Sequence, residues 1–267
     1  MFDATPIWFL IEPHLFAGFL LLMRLTGIVM FLPVLSGGGR TNLSVRIMLL
    51  CFMTVFMYSA LGMPFVALPQ SAIGSVPMIV HEFLVGASLG FFVRILFAIA
   101  EGAGLIAGTG MALGFGNVVD PLTGEQSPAI SNFLSLGAMM LFVALGGHRE
   151  VVLGLMTNLK LFPLGGDTPV GFDLETLKAL GTGFFAASIK LAAPVLVVTS
   201  LINVGLGLLA RAAPQVNIFA VGFALLLLGG IFVLDTTMLG LKELYEDRVE
   251  TLSEDINHGM TGVYSNE

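Results

Sequence analysis

Long runs of apolar residues, separated by short polar stretches, cover most of the chain. Apolar segments lie near residues 7–35, 45–68, 73–100, 128–147, 179–210 and 214–241, with a weaker one at 151–164. Residues 47–81, 126–148, 191–210 and 212–234 contain no Asp, Glu, Lys or Arg, and a membrane-spanning helix needs about 20 apolar residues. Apolar residues fill both faces of each run, whereas a transmembrane β-strand would alternate. The pattern predicts an all-α integral membrane protein.

Prolines and polar residues interrupt several of these segments. Pro13 and His14 fall in the first segment, and Pro64, Pro69 and Pro77 lie between the second and the third. We therefore expect helical hairpins with broken helices. Broken helices and polar groups at membrane depth are stable only where protein or water surrounds them, so the chain is expected to pack against many neighbours as part of a hetero-oligomer.

Composition supports a membrane protein, because 56% of the residues are hydrophobic and 11% are charged, against roughly 25% charged residues in soluble domains. The net charge of −7 comes largely from residues 242–267, which hold seven acids and two bases. The chain has no basic footprint for nucleic acid. The N-terminus has no basic residue before Arg24, so we expect no cleavable signal peptide.

Metal and cofactor chemistry finds no support in the sequence. Cys51 is the single cysteine, which excludes an intrachain disulfide and a thiolate metal site. The histidines are scattered without metal-ligand spacing; they are His14, His81, His148 and His258. No combination of Ser, His and Asp indicates a nucleophile. We expect no cofactor, no metal and no enzymatic activity.

Charged residues inside apolar runs indicate buried or intersubunit contacts. Arg24 lies in FLLLMRLTGIVMF and Lys190 in AASIKLAAPVLVV. An intramembrane charge is costly, so each is expected to meet a carboxylate, a carbonyl or a lumen, and Lys190 an intersubunit partner. Snorkelling to the membrane surface is the alternative. Glu82 and Arg94 are too far apart for a helical pair, whereas Arg94 and Glu101 share a helix face.

The polar stretch LLARAAPQVN separates the last two apolar segments. Pro214 is expected to start the second of these helices, because proline is favoured at the first helical position. Arg211, Gln215 and Asn217 join the candidate intersubunit or intramembrane polar residues. That set is Arg24, Glu82, Arg94, Lys190, Arg211, Gln215 and Asn217.

The stretch GTGMALGFGNVVDPLTGEQSPAI at 108–130 is rich in glycine and turn residues. It fits neither a dinucleotide-binding fingerprint nor a Walker A loop, because the third glycine comes one position late and the nearest downstream lysine is Lys160. The pairs Gly104/Gly108 and Gly110/Gly114 permit close helix approach. Six glycines between residues 102 and 116 weaken a helix, so this segment is either clamped by neighbours or poised to rearrange. The residues by themselves favour a simpler interpretation, a structural loop between packed helices.

Several stretches together resemble a known family. They are MRLTGIVMFLPVL, VRIMLL, EFLVGASLGFFVRILFAIAEGAGLIAGTGMALGFGNVVDP, GGHREVVLGLMTNLKLFPLG and RAAPQVNIFAVGF. Together they are similar to the R subunits of the flagellar type III export gate (the FliR family), whose virulence counterparts are the injectisome T subunits. The continuation at Phe223, Ala224, Leu225 and Leu226 departs from relatives that carry a Pro-Leu-Lys-like sequence, so the injectisome alternative stays open.

The resemblance implies a non-enzymatic pore component of the bacterial inner membrane, in the flagellar basal body. One R subunit joins five P-type and four Q-type subunits, works with the B-type substrate-specificity switch protein and the A-type export protein, and passes unfolded flagellar export substrates. Residues 1–175 would then form a P-subunit-like part, 176–245 a Q-subunit-like hairpin and 246–267 an acidic polar tail. A secondary transporter, which would work without partner subunits, is the alternative from another class.

The family's plug, a loop that closes the pore, would fall on about residues 106–126. Its apolar side chains would seal the pore while its glycines allow displacement. The resemblance assigns this role to Gly108, Gly110, Met111, Leu113, Gly114, Phe115, Gly116, Val118, Asp120 and Pro121.

Overall fold

The computed structural model describes residues 7–33, 43–62, 65–66, 72–113, 129–166 and 174–261, and this part of the chain is helical without strands. Seven helices follow in order: α1 (Ile7–Phe31), α2 (Leu43–Ala60), α3 (Ala72–Gly110), α4 (Ala129–Ala144), α5 (Gly147–Leu161), α6 (Leu174–Ala212) and α7 (Ile218–Thr261). Each overlaps an apolar segment of the sequence, and α7 continues beyond residue 241 to Thr261. The predicted all-α membrane fold is confirmed.

Five of these helices are long and apolar enough to cross a membrane, and the pair α4 and α5 adds a sixth candidate if it is one broken span. The five are α1, α2, α3, α6 and α7. Three of them exceed what a bilayer needs, since α3 and α6 have 39 residues and α7 has 44. At about 1.5 Å per residue they are roughly 60 Å long, twice the hydrocarbon thickness of about 30 Å.

The expected interruption of the first segment is wrong, because Pro13 lies inside the continuous helix α1. Pro77 and Pro194 likewise lie inside α3 and α6. Pro13 and Pro77 fall in the second turn of their helices, beyond the first four N–H groups that have no intrahelical partner, so each removes one helix hydrogen bond. Elsewhere an apolar setting offers the backbone no better partner than the helix itself.

Pro214 does not start α7, contrary to expectation. It lies in a turn in which Val216 N donates to Ala213 O at 3.1 Å, the second position of a β-turn that proline favours. Asn217 provides the helix start instead: its Oδ1 accepts a hydrogen bond from Ala220 N at 3.3 Å. An asparagine before the first helical residue is an N-cap, and it satisfies a backbone donor that has no partner within the helix.

The chain divides into two compact units, residues 1–94, 148–177 and 251–267 in the first, and residues 95–147 and 178–250 in the second. These units are defined by which residues lie close together in space. The boundaries predicted at residues 175 and 245 instead separate parts that resemble different subunits, and they stay a prediction. In the first unit, Ala17 and Leu20 of α1 form a small core with Val66, and Tyr58 and Leu164 pack against it.

Helices α1 and α3 approach each other closely in the first unit, through three glycines. A Cβ on Gly86 would overlap the backbone of Arg24, and one on Gly27 would overlap the carbonyl of Phe83. At Gly90 the added carbon would lie 2.8 Å from the carbonyl oxygen of Ile28. Small residues are what allow helix backbones to touch in membranes, so these three positions set the α1–α3 distance.

The second unit is built around residues 95–110 of α3. The ring of Phe97 lies 5.1 Å from that of Phe142 on α4 and 6.2 Å from that of Tyr245 on α7. Tyr245 donates its hydroxyl to the carbonyl of Leu96 at 3.1 Å, and Ser188 on α6 donates to the carbonyl of Ile99 at 3.2 Å. Aromatic packing and two side-chain hydrogen bonds thus tie α4, α6 and α7 to this part of α3.

Replacement of Gly86 by alanine should loosen the first unit. The new methyl group meets the Arg24 backbone, which cannot move aside, and overpacking costs roughly 1–3 kcal/mol. The measurement is the fraction of full-length chain that resists trypsin after isolated membranes are heated, and Gly86→Ala should lose resistance at a lower temperature. The control is Gly18→Ala on α1, where a Cβ meets nothing within 4 Å. Equal curves for the two variants would contradict the close approach.

Candidate functional site

A buried ion pair joins α1 to α3 in the first unit. Arg24 Nε donates to Glu82 Oε2 at 2.6 Å, and both side chains are 0% exposed. The backbone contact at Gly27 and Gly86 places the two helices close enough for this bond. Snorkelling of Arg24, the alternative considered from the sequence, is excluded because no part of its side chain reaches the surface of the unit.

The same pair also holds α5 and the turn that follows it. Arg24 Nη1 donates to Asn158 Oδ1 at 3.2 Å and to the carbonyl of Phe162 at 3.1 Å. Glu82 Oε1 accepts from the backbone N–H of Gly165 at 2.8 Å. Gly165 has φ +74, a conformation that glycine adopts without strain. Both charges therefore reach further polar groups, which is the condition under which a buried pair is tolerated.

One nitrogen of this network has no hydrogen-bond partner within the described part of the chain: Arg24 Nη2 is buried and unsatisfied there. A buried polar group without a partner costs about 1–3 kcal/mol. Three hydrogen bonds through Nε and Nη1 hold the guanidinium, and the unused donor capacity lies on Nη2.

The other predicted polar residues differ in their exposure. Arg94 is half-buried on α3, whereas Lys190 is exposed on α6, and Arg211 and Gln215 are exposed at and after the end of α6. Lys190 lines a cavity with Glu243 and Asp247 of the same chain. Asn217 caps α7. The intersubunit roles of these residues stay predictions.

The predicted plug is described in its first part, residues 106–113. Gly108 is buried and Gly110 ends α3, while Met111 is 0% exposed and Leu113 half-buried. The remaining predicted plug residues lie outside the described residues; they are Gly114, Phe115, Gly116, Val118, Asp120 and Pro121.

Residues 111–113 follow α3 in a fixed turn. Leu113 N donates to the carbonyl of Gly108 at 3.1 Å, and Ala112 has φ +60. Left-handed backbone costs a residue with a Cβ about 1–2 kcal/mol. A Cβ on Gly230 of α7 would overlap the Met111 side chain, so Met111 packs directly against the backbone of α7.

The glycines of α3 in the second unit are clamped by neighbouring helices. A Cβ on Gly104 would overlap the Ser131 backbone of α4, and one on Gly102 would lie 2.9 Å from Ser188 Oγ of α6. Ser131 Oγ donates to the carbonyl of Glu101 at 2.8 Å. At Gly110 the added carbon would lie 3.2 Å from Thr199 Oγ1. The neighbours thus compensate for the low helix propensity of this stretch, and α3 remains helical to residue 110.

Sequence reasoning missed most partners of the Arg24–Glu82 pair. Asn158 is one polar residue in a weakly apolar segment, and the Phe162 and Gly165 contacts use backbone groups. A signal did exist for the helix contact, because GASLG at 86–90 is a small-xxx-small pair of the kind that marks close helix packing.

Long apolar helices, tight glycine contacts and a charge pair buried among them define a multi-span α-helical membrane protein. Residues 15–252 match the family model described as Bacterial export proteins, family 1. The chain belongs to this family, and the resemblance found in the sequence is confirmed.

Named relatives agree with this membership. The chain is 29% identical to the flagellar biosynthetic protein FliR of Escherichia coli (strain K12) over 217 residues, which cover 81% of this chain and 82% of that protein. It is 29% identical to FliR of Bacillus subtilis (strain 168) over 222 residues, 79% of this chain and 82% of the relative. It is also 29% identical to the surface presentation of antigens protein SpaR of Salmonella typhimurium over 236 residues, 86% of this chain and 84% of SpaR.

Removal of one partner of the buried ion pair should destabilise the first unit strongly. Arg24→Leu or Glu82→Leu leaves an unpaired buried charge, which costs about 3–5 kcal/mol. The double variant Arg24→Leu/Glu82→Leu should recover much of this loss, because it removes both charges. Trypsin resistance of heated membranes measures the effect.

The matched control is the exposed pair of Arg149 and Glu150, joined at 2.9 Å with Arg149 75% exposed. Arg149→Leu should change stability by no more than about 1 kcal/mol. If Arg24→Leu behaves like Arg149→Leu, or if the double variant is worse than both single ones, the buried pair does not organise the unit.

Proposed function

We propose that the chain is the R-type subunit of a flagellar type III protein export gate in the bacterial inner membrane. It forms the substrate-conducting pore with P-type and Q-type subunits and performs no chemical step itself. The observation that carries the proposal is the family match over residues 15–252, together with relatives that are named FliR and SpaR.

The surface of α6 supports an assembly with partner proteins. Large apolar side chains are exposed along it from Leu174, at 66%, to Leu208, at 69%. These residues are separated by about 50 Å of helix, which exceeds the hydrocarbon thickness of about 30 Å. Lipid cannot cover the whole stripe, and an apolar stripe of this length marks a protein contact.

Helix α2 supports the same conclusion by a different route, since 11% of it is buried inside the chain. Its exposed side chains include Met48, Phe52 and Val55. They repeat at intervals of four and three residues, so they form one face of the helix. We assign this face to a neighbouring subunit of the gate, whereas Thr54 and Met57 of the same helix are buried within the chain.

The flagellar system is preferred over the injectisome because GFGNVVDP at 114–121 and RAAPQ at 211–215 resemble the flagellar sequences. The similarity to SpaR keeps the injectisome T subunit as the second candidate. In either system the partners are P-type subunits, Q-type subunits, the B-type switch protein and the A-type export protein, and the cargo is unfolded export substrate.

Pore closure is assigned to residues 106–126. Met111 is buried against α7 and Ala112 adopts a left-handed conformation, so the start of the segment is held in place. An apolar constriction blocks water and ions by dewetting, and methionine fills irregular gaps well. Because Met111 packs against α7 and Leu113 N donates to the carbonyl of Gly108, displacement of the plug is expected to begin beyond residue 113.

Shortening of the plug should open the closed pore. Deletion of residues 116–118 (Gly-Asn-Val) shortens the proposed seal by three residues, removes the Val118 side chain and leaves the helix contacts of α3 in place. Membranes that contain the assembled gate should then become permeable to small solutes, measured as growth sensitivity and as conductance in planar bilayers.

The control is a deletion of equal length in the acidic tail, residues 262–264, which should leave conductance low. Both variants must first be shown to co-purify with the partner subunits. An assembled gate that carries the plug deletion and remains tight would refute the plug assignment, although membership of the gate would stand.

A further inference from the structure

A cavity of about 480 Å³ lies between α6 and α7 in the second unit, near the turn that joins the two helices. Apolar side chains form most of its lining, among them Leu206 and Ala210 of α6 and Ile218 and Leu226 of α7. Of the described residues that line it, only Asn203 is polar. We call this cavity the hairpin cavity.

Asn203 lies in the apolar part of α6. Residues 191–210 contain no Asp, Glu, Lys or Arg. About 14 Å of helix separates Asn203 from the end of α6 at Ala212, nearly half of a hydrocarbon layer of about 30 Å. The Asn203 side chain is exposed, and within the described ranges no hydrogen bond engages it. An amide without a partner is costly in hydrocarbon, so the cavity has to receive a polar group together with apolar atoms.

A glycine makes room for a second helix at the hairpin cavity. A Cβ on Gly207 would meet nothing of the described chain within 4 Å, so α6 presents bare backbone at this point. Asn203 and Gly207 are four residues apart and share a helix face. Gly222 of α7 has a different role, because a Cβ there would lie 3.0 Å from Leu206 Cδ1 and the position packs α7 against α6. Small residues on an open face allow close approach of another helix in membranes.

We propose that the hairpin cavity receives a transmembrane helix of a partner subunit, and that this helix presents an Asn or Gln side chain to Asn203. Two amides complement each other because each has an oxygen that accepts and a nitrogen that donates, which gives two reciprocal hydrogen bonds. A hydroxyl offers a single oxygen atom, and a lipid acyl chain offers no polar atom. The inference rests on the proposed function and adds the chemistry that selects the partner helix at this point.

Photo-cross-linking within the purified complex tests the proposal. Phe219 lines the hairpin cavity and is 88% exposed, so benzoylphenylalanine can replace it without disturbing a packed core. The full chain is co-expressed with P-type and Q-type subunits, and the purified complex is irradiated. Mass spectrometry then identifies the cross-linked peptide. The expected peptide belongs to an apolar helix of a partner subunit, with Asn or Gln within one helical turn of the cross-linked residue.

Two substitutions separate packing from hydrogen bonding, with yields normalised to the complex recovered. Gly207→Leu should lower the cross-link yield at least tenfold, because its side chain occupies the cavity without meeting its own chain. Asn203→Leu should lower the yield at least threefold, the average effect of one interhelical hydrogen bond in a membrane, and Asn203→Gln should restore it. The matched control is Gly181→Leu, at an equally open glycine of α6 about 39 Å from Gly207, and it should leave the yield unchanged.

Recovery of the complex separates this inference from the proposed function. If P-type and Q-type subunits co-purify but residue 219 cross-links to lipid, to its own chain or to a partner helix without Asn or Gln, the amide contact is refuted and the export gate stands. Equal yields from the Asn203→Leu variant and the unsubstituted chain would refute the contact as well. If neither type of subunit co-purifies, the gate and the inference fail together.

Discussion

The pairing of one buried arginine governs the first unit of this protein. Arg24 lies among apolar residues of α1, and a charge at such a position is stable only with partners around it. Glu82 can serve because Gly27 and Gly86 bring α1 and α3 into backbone contact. The glycines and the ion pair depend on each other. Without the close approach of α1 and α3 the two charges would be too far apart to pair, and without the pair no side-chain bond would join the two helices at this point. Asn158 and the turn after α5 then complete the site.

The second unit uses the same principle with neutral groups. Ser131 of α4 and Ser188 and Thr199 of α6 pack against glycines of α3. The two serine hydroxyls also donate hydrogen bonds to backbone carbonyls of α3. Small residues and short polar side chains are the usual means of packing helices in lipid, where apolar burial gives little preference for protein over solvent. A glycine-rich segment that would be a poor helix by itself is therefore rigid up to residue 110. The part of the proposed plug that is expected to move therefore follows a well-defined helix end.

Six of the described helices could be predicted because each contains a long apolar run, whereas α5 corresponds to the weaker apolar segment at 151–164. Two details were wrong: Pro13 does not interrupt α1, and Asn217 rather than Pro214 starts α7. Both predictions were based on the local preferences of proline. In the structure, the apolar surroundings keep α1 helical through Pro13, and the Asn217 cap fixes the start of α7. The partner of Arg24 was not predictable, since Glu82 is 58 residues away and the other acceptor groups are more than 130 away. Residues 114–121 of the candidate plug lie outside the described ranges, so their role rests on the resemblance.

The central claim is that this chain works as one subunit of an export gate. Native mass spectrometry of the tagged chain, expressed with and without P-type and Q-type subunits, tests it most directly. Expressed with them, the chain should appear once in a discrete large complex with five P-type and four Q-type subunits. Expressed without them, it should be aggregated or degraded, because the exposed faces of α2 and α6 lack their protein contacts. A monodisperse monomer that transports a substrate without any partner would contradict the account.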